Sequence, residues 1–162
     1  MKIVFTADEA KGMDSVMSYH FGHSPYFVIV EVGEGNTIKN VESIENPYEG
    51  EHNPGELPAF MHTIGADIIV TGGMGPRAQE FFMQYGIKPI VGAYGKVKDV
   101  LKEVLKGEYK FQGEVSLDNE HKGHEEGEDE EVRRLKMEVQ DLRKQIADLK
   151  SLLLDIKEKL EG

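Results

Sequence analysis

The chain has 162 residues, 39% of them apolar, no cysteine and a formal charge of −11. That length suits one ordinary core with an appendage. The absence of thiols excludes disulfides, thiolate catalysis and cysteine-held zinc or iron–sulfur sites, so any metal must be held by His, Asp, Glu, Met or backbone groups.

The acidic balance speaks against a nucleic-acid partner, which needs a basic face. No apolar stretch approaches the ~18 residues of a membrane span. The first residues, "MKIVFTADEA", turn acidic before a signal-peptide apolar region forms, so the expected location is cytoplasmic.

In chain order, "KIVFTA" (2–7) predicts a short strand, followed by a polar, Gly-containing loop over 8–25. "YFVIVEV" (26–32) is the strongest strand signal, "GEGN" (33–36) a turn, and "TIKNVESIE" (37–45) the returning arm of a hairpin. After a loop at 46–55, residues 56–65 predict a helix ended by Gly65. "ADIIVTGG" (66–73) is a buried strand running into glycines, and Pro76 opens a helix that stops at Gly86. Residues 87–93 form another strand, and 96–107 an amphipathic helix closed by Gly107. The order β, ββ, α, β, α, β, α predicts an α/β domain over 1–111: a mixed five-stranded sheet with helices on its faces.

Residues 112–130, "QGEVSLDNEHKGHEEGEDE", carry much of the negative charge and almost no large apolar groups, as a flexible acidic linker does. Beyond it, 131–162 predicts one long coiled-coil helix. Val132, Leu135, Val139, Leu142, Ile146, Leu149, Leu153, Ile156 and Leu160 follow each other in alternating steps of 3 and 4. The e positions are basic (Lys136, Arg143, Lys150, Lys157), and the g positions begin Glu131, Glu138, Gln145. In a parallel pair g faces the partner's e and acid meets base; in an antiparallel pair cation would face cation. Val132, Val139 and Ile146 at a with Leu at d favour a dimer, while Leu153 and Leu160 at a with Ile156 at d lean towards higher order. The expectation is a parallel homodimer through 131–161. A lone helix docked on its own domain is the alternative.

Two constellations carry chemistry. "SYHFGHSPYF" (18–27) places His20 and His23 three apart in the loop feeding the strongest strand, where they are metal ligands or plain turn residues. "TGGMGPRA" (71–78) ends a strand in Gly72, Gly73 and Gly75 before a helix opening at Pro76, with Arg77 beside it. Such a turn presents amides and a positive dipole end to anions, or is simply a tight β–α turn requiring small residues. It lacks the Gly-Lys-Ser/Thr ending of a phosphate-binding loop. His52, His62, His121 and His124 have no comparable context. No G-x-S-x-G elbow, H-E-x-x-H helix or carboxylate trio is present, so a non-catalytic binding protein is expected.

The stretches "GMDSVMSYHFGHSPYFVIVEV", "GADIIVTGGMGPRAQEFF" and "GIKPIVGA" resemble the dinitrogenase iron–molybdenum cofactor biosynthesis family over roughly residues 1–108. The resemblance implies a ribonuclease-H-like topology. It also implies a carrier for the iron–molybdenum cofactor or a related metal–sulfur cluster, taken from donor and given to acceptor proteins. His20, in the "HFG" motif, is the cluster ligand it suggests; relatives commonly have another residue at His23, so a role for His23 is this chain's own. On this view His20, Phe21, Gly22 and His23, with Gly72, Gly73, Gly75 and Arg77, form the cluster site if the two loops meet. An interaction adaptor without metal and a small phosphate- or nucleotide-binding domain are the alternatives.

Overall fold

The computed structural model describes residues 1–49, 53–109 and 130–161. The linker stretch 112–129, with His121 and His124, and also His52, lie outside the described residues.

Strict alternation in the strands decides which side chains share a face. β1 (Lys2–Ala7) lies at the centre of the sheet. It pairs antiparallel with β2 (Tyr26–Val32), Lys2 opposite Glu31 and Ala7 opposite Tyr26. β2 in turn pairs antiparallel with the edge strand β3 (Ile38–Glu45). On its other side β1 pairs parallel with β4 (Ile68–Thr71), and β4 with β5 (Lys88–Val91). The order β3-β2-β1-β4-β5 is the expected mixed five-stranded sheet.

Ile3, Phe5, Val28, Val30, Val70 and Ile90 form one face, covered by Val97, Val100 and Leu101 of α3 (Val97–Leu105). Val4, Phe27 and Ile69 form the other, covered by Leu57 and Met61 of α1 (Glu56–Thr63) and Phe82 of α2 (Pro76–Gln84). Each such fully buried apolar side chain contributes roughly 1.5–3 kcal/mol. The predicted helix stops hold: Gly65, Gly86 and Gly107 follow the three helices with φ of 80°, 74° and 74°, a backbone region where a Cβ is strained.

Two expectations gain detail. The 8–25 segment is a loop, as expected, but one held against the domain. A 3₁₀ turn at Gly12–Asp14 and bridges pairing Ala7 with Met17 and Val16 with Lys96 tie it to the domain, and Val16 and Met17 are buried. Met17 is thus a core residue. Secondly, the terminal helix α4 (Glu130–Glu161) does dock on its own domain, but not through its heptad seam. Ala147 and Ser151 are buried against the domain, whereas the seam side chains from Val132 to Leu160 are between 41% and 83% exposed. A docked helix and a largely exposed seam therefore coexist.

Candidate functional site

Because β1 and β4 are parallel neighbours, their carboxyl ends open at the same edge of the sheet, where loops converge in open α/β sheets. Thr6 and Thr71 close those ends. Both are fully buried, with their hydroxyl oxygens 3.0 Å apart and Thr6 Oγ1 3.2 Å from the Ser18 carbonyl. The Ser18 amide donates to the Thr6 carbonyl at 2.9 Å, so the histidine loop leaves the sheet already fixed.

The loop then runs alongside the glycine turn. Gly72 N–H donates to the Ser18 carbonyl at 3.2 Å and Phe21 N–H to the Gly73 carbonyl at 3.0 Å, while His20 pairs with Gly73 as a one-residue parallel bridge. This contact explains the glycines. A Cβ on Gly72 would lie 2.8 Å from Tyr19 Cα, and one on Gly73 2.9 Å from the Tyr19 carbonyl oxygen. At Gly75 a Cβ would meet nothing within 4 Å.

Below the bridge, Phe21 is buried against Phe82 and Phe27, with ring centroids 5.1 and 6.3 Å away. The far end of the loop is held by Ser24, also fully buried. Ser24 Oγ accepts from Ala7 N–H at 3.0 Å and donates to the Tyr26 carbonyl at 2.7 Å, and Asn46 Nδ2 donates to the Ser24 carbonyl at 2.8 Å.

Between these anchors His20 and His23 stand exposed at the surface. Their ring centroids are 6.2 Å apart and nearly perpendicular, and His20 meets Tyr19 edge-on at 4.7 Å. Arg143 of α4 lies over the other part of this cluster, 5.0 Å from the Tyr19 ring centroid. Arg77 is exposed in the first turn of α2. Nearby Asp8 is pushed above the usual carboxylate range by burial, a rise opposed by the Arg143 charge and a Ser18 hydrogen bond.

The two predicted constellations are thus brought together, but their members divide the work differently from expectation. Phe21 gives its ring to the core and its amide to Gly73, so it anchors the loop and offers nothing to a ligand. The Gly72 amide is spent on Ser18, and Pro76 has no N–H. The phosphate-cradle alternative thereby loses its first donor. What the site presents outward is a pair of imidazoles with Arg143 beside them on Tyr19. Tyr19 and Arg143 were not legible as site residues, since a residue 124 positions away along the chain leaves no local signal.

Among the described residues, no group of three or more His, Cys, Asp or Glu is gathered to hold a metal ion. His62 stacks on Tyr85 at 4.7 Å instead of joining the other imidazoles. The larger groove, about 390 Å³, lies between α3 and α4 and contains no histidine. A second, about 240 Å³, runs between Tyr19, Tyr94 and Arg143 beside the site.

Comparisons with known proteins agree with this architecture. The model of the family described as dinitrogenase iron-molybdenum cofactor matches residues 1–107, ending before α4. The chain is 33% identical over 109 residues to an uncharacterized protein of Methanocaldococcus jannaschii, MJ0580, spanning 66% of this chain and 87% of that one. The crystal structure of PH0822 is similar with a TM-score of 0.60 and 40% identity, covering 70% of this chain and 98% of that one. The apo form of the orange protein from Desulfovibrio gigas shares the fold, with a TM-score of 0.61, 24% identity, and 71% and 95% coverage.

Proposed function

Since the chain belongs to the dinitrogenase iron-molybdenum cofactor family, we propose that it is a non-catalytic carrier of an iron–molybdenum-type or related metal–sulfur cluster. His20 is the principal ligand and His23 the second. The single observation that supports this reading is the rigid seating of two exposed imidazoles beside the Gly72–Gly73 turn.

The donor set suits a cluster better than a bare ion. A tetrahedral ion wants four ligands, and the described residues gather fewer than three candidates in any one place. A metal–sulfur cluster arrives with its own sulfides filling most coordination positions. It needs only one or two imidazoles on its metals and cations near its anionic edge. His20, His23, Arg77 and Arg143 are chemically of that kind. Few protein bonds also mean that the cargo leaves readily, as transfer from a donor to an acceptor protein requires.

The test is anaerobic incubation of the full chain with iron, sulfide and tetrathiomolybdate, followed by visible spectra and metal and sulfide analysis. A new absorption band with stoichiometric metal is expected. His20→Ala should weaken uptake at least tenfold, about 1.4 kcal/mol, and His23→Ala by less. Uptake unchanged in His20→Ala overturns the site, and no uptake by the unaltered chain overturns the carrier.

A further inference from the structure

We infer that α4 is a two-sided element: one flank ties it to its own domain, and its apolar seam receives the same seam of a second copy of this chain, running parallel. This stands apart from the cargo reading and holds whatever the site carries.

The docking flank is polar. Arg143 sits on Tyr19, Lys150 donates to the Tyr94 carbonyl at 2.7 Å and pairs with Glu103 at 2.6 Å, and Ser151 Oγ donates to Asp99 Oδ2 at 2.7 Å. Ala147 is the one wholly buried apolar residue among the described positions of α4. Contacts of this kind orient a helix but bury little apolar surface, and the more exposed pairs Lys96–Asp148 and Lys102–Glu158 add only ~0–1 kcal/mol each. An isolated helix gains its stability mainly by burying an apolar face. Here that face stays 41% to 83% exposed along its length, with Ile146, Leu149 and Leu153 also lining the groove against α3. A continuous exposed apolar stripe of this extent marks an interface.

The stripe specifies its occupant. Its unbroken steps of 3 and 4 give the 3.5-residue period that keeps a seam facing another supercoiled helix. The flanking charges are self-complementary at the start of the helix, where Glu131 at g faces Lys136 at e of an identical parallel helix, ahead of the point where Arg143 turns to Tyr19. A second copy therefore supplies both the apolar stripe and the opposite charges.

At about 100° per residue, Arg143 and Lys150 lie at e, Ala147 at b and Ser151 at f, so the domain covers the side of the helix running from e to f. In a parallel pair the two-fold axis runs along the coil, and the two domains fall on opposite sides of it. In an antiparallel pair e faces e, which puts both domains on one side. Domain contacts run from Arg143 to Glu158, in the second half of the helix, and leave the first half of the seam clear.

The chain contains no cysteine, so single cysteines report the geometry directly. Full-length protein should sediment at twice its 18.2 kDa mass. Leu135→Cys and Ile156→Cys occupy d positions near opposite ends of the seam. In a parallel pair, each alone should oxidise to a covalent dimer. If neither cross-links alone but a mixture of the two does, the pair is antiparallel and the direction is overturned. Leu142→Asp with Leu149→Asp should halve the mass and leave the thermal transition of the α/β domain in place. A monomer before that change, or an unchanged mass after it, overturns the second copy as occupant.

Discussion

Gly72 and Tyr19 touch backbone to backbone: a Cβ on Gly72 would lie 2.8 Å from Tyr19 Cα and 3.0 Å from the Ser18 carbonyl. The histidine loop rests on that absence of a side chain. Gly72→Ala must therefore push the loop away, at a cost of about 1–3 kcal/mol as for other overpacked sites. Gly75→Ala, with open space around the new methyl, should stay within about 0.5 kcal/mol. Urea unfolding of both variants measures the difference. Equal stabilities would show that the two loops are not held together as described.

The adjacent residues Phe21 and His20 should separate stability from binding. Phe21 is buried between Phe82 and Phe27, so Phe21→Ala is expected to cost about 3–5 kcal/mol. The exposed His20 ring should cost under ~1 kcal/mol when removed, while cluster uptake falls. Thermal unfolding beside metal analysis reads both quantities. A His20→Ala protein as unstable as Phe21→Ala would make His20 a structural residue.

Element order was legible because its signals are local. The apolar runs of β1, β2 and β4 and the positive-φ glycines after the helices each act within a few residues. Several helix and strand ends were placed one or two residues too generously, as at 66–73 against Ile68–Thr71, since the glycines there belong to the loop contact. What escaped the sequence is long-range and polar. Lys150 reaching the Tyr94 carbonyl and Ser151 reaching Asp99 span 56 and 52 positions with no periodicity to announce them. The heptad seam was visible for the opposite reason, and the docking flank beside it hid among ordinary polar residues. Likewise "HFG" looked like a single ligand motif, although its histidine faces out and its phenylalanine is core.

Asp99 and Ser151 join α3 to α4 through a hydrogen bond that is buried on both sides. Ser151→Ala leaves that Asp99 oxygen without its donor away from water, a loss of about 1–2 kcal/mol. The effect should be local. Amides of α4 between positions 143 and 158 should exchange roughly 5- to 30-fold faster, while those of β1 and β4 keep their rates. Unchanged exchange along α4 would mean that this bond does not hold the helix.

Asp8 provides a pH signature for the site's surroundings. Burial raises its pKa above the ordinary 3.8, outweighing the Arg143 charge and the Ser18 hydrogen bond. Just above pH 3.8 the folded chain therefore retains this proton more readily than the unfolded chain does. Stability then declines as pH rises through that window, by linkage, and levels off above the folded value. Asp8→Asn cannot ionise, so it should be more stable than the unaltered chain at pH 7, and the gap should close towards pH 3. Arg143→Ala removes the cation that favours the carboxylate, so it should raise the Asp8 pKa further and extend the decline to higher pH. Denaturant midpoints taken at half-unit steps, plotted as differences from the unaltered chain, isolate Asp8 from the other carboxylates. A flat difference curve for Asp8→Asn would mean that folding does not shift this group. An Arg143→Ala curve that coincides with that of the unaltered chain would place α4's guanidinium too far from Asp8 to act on it.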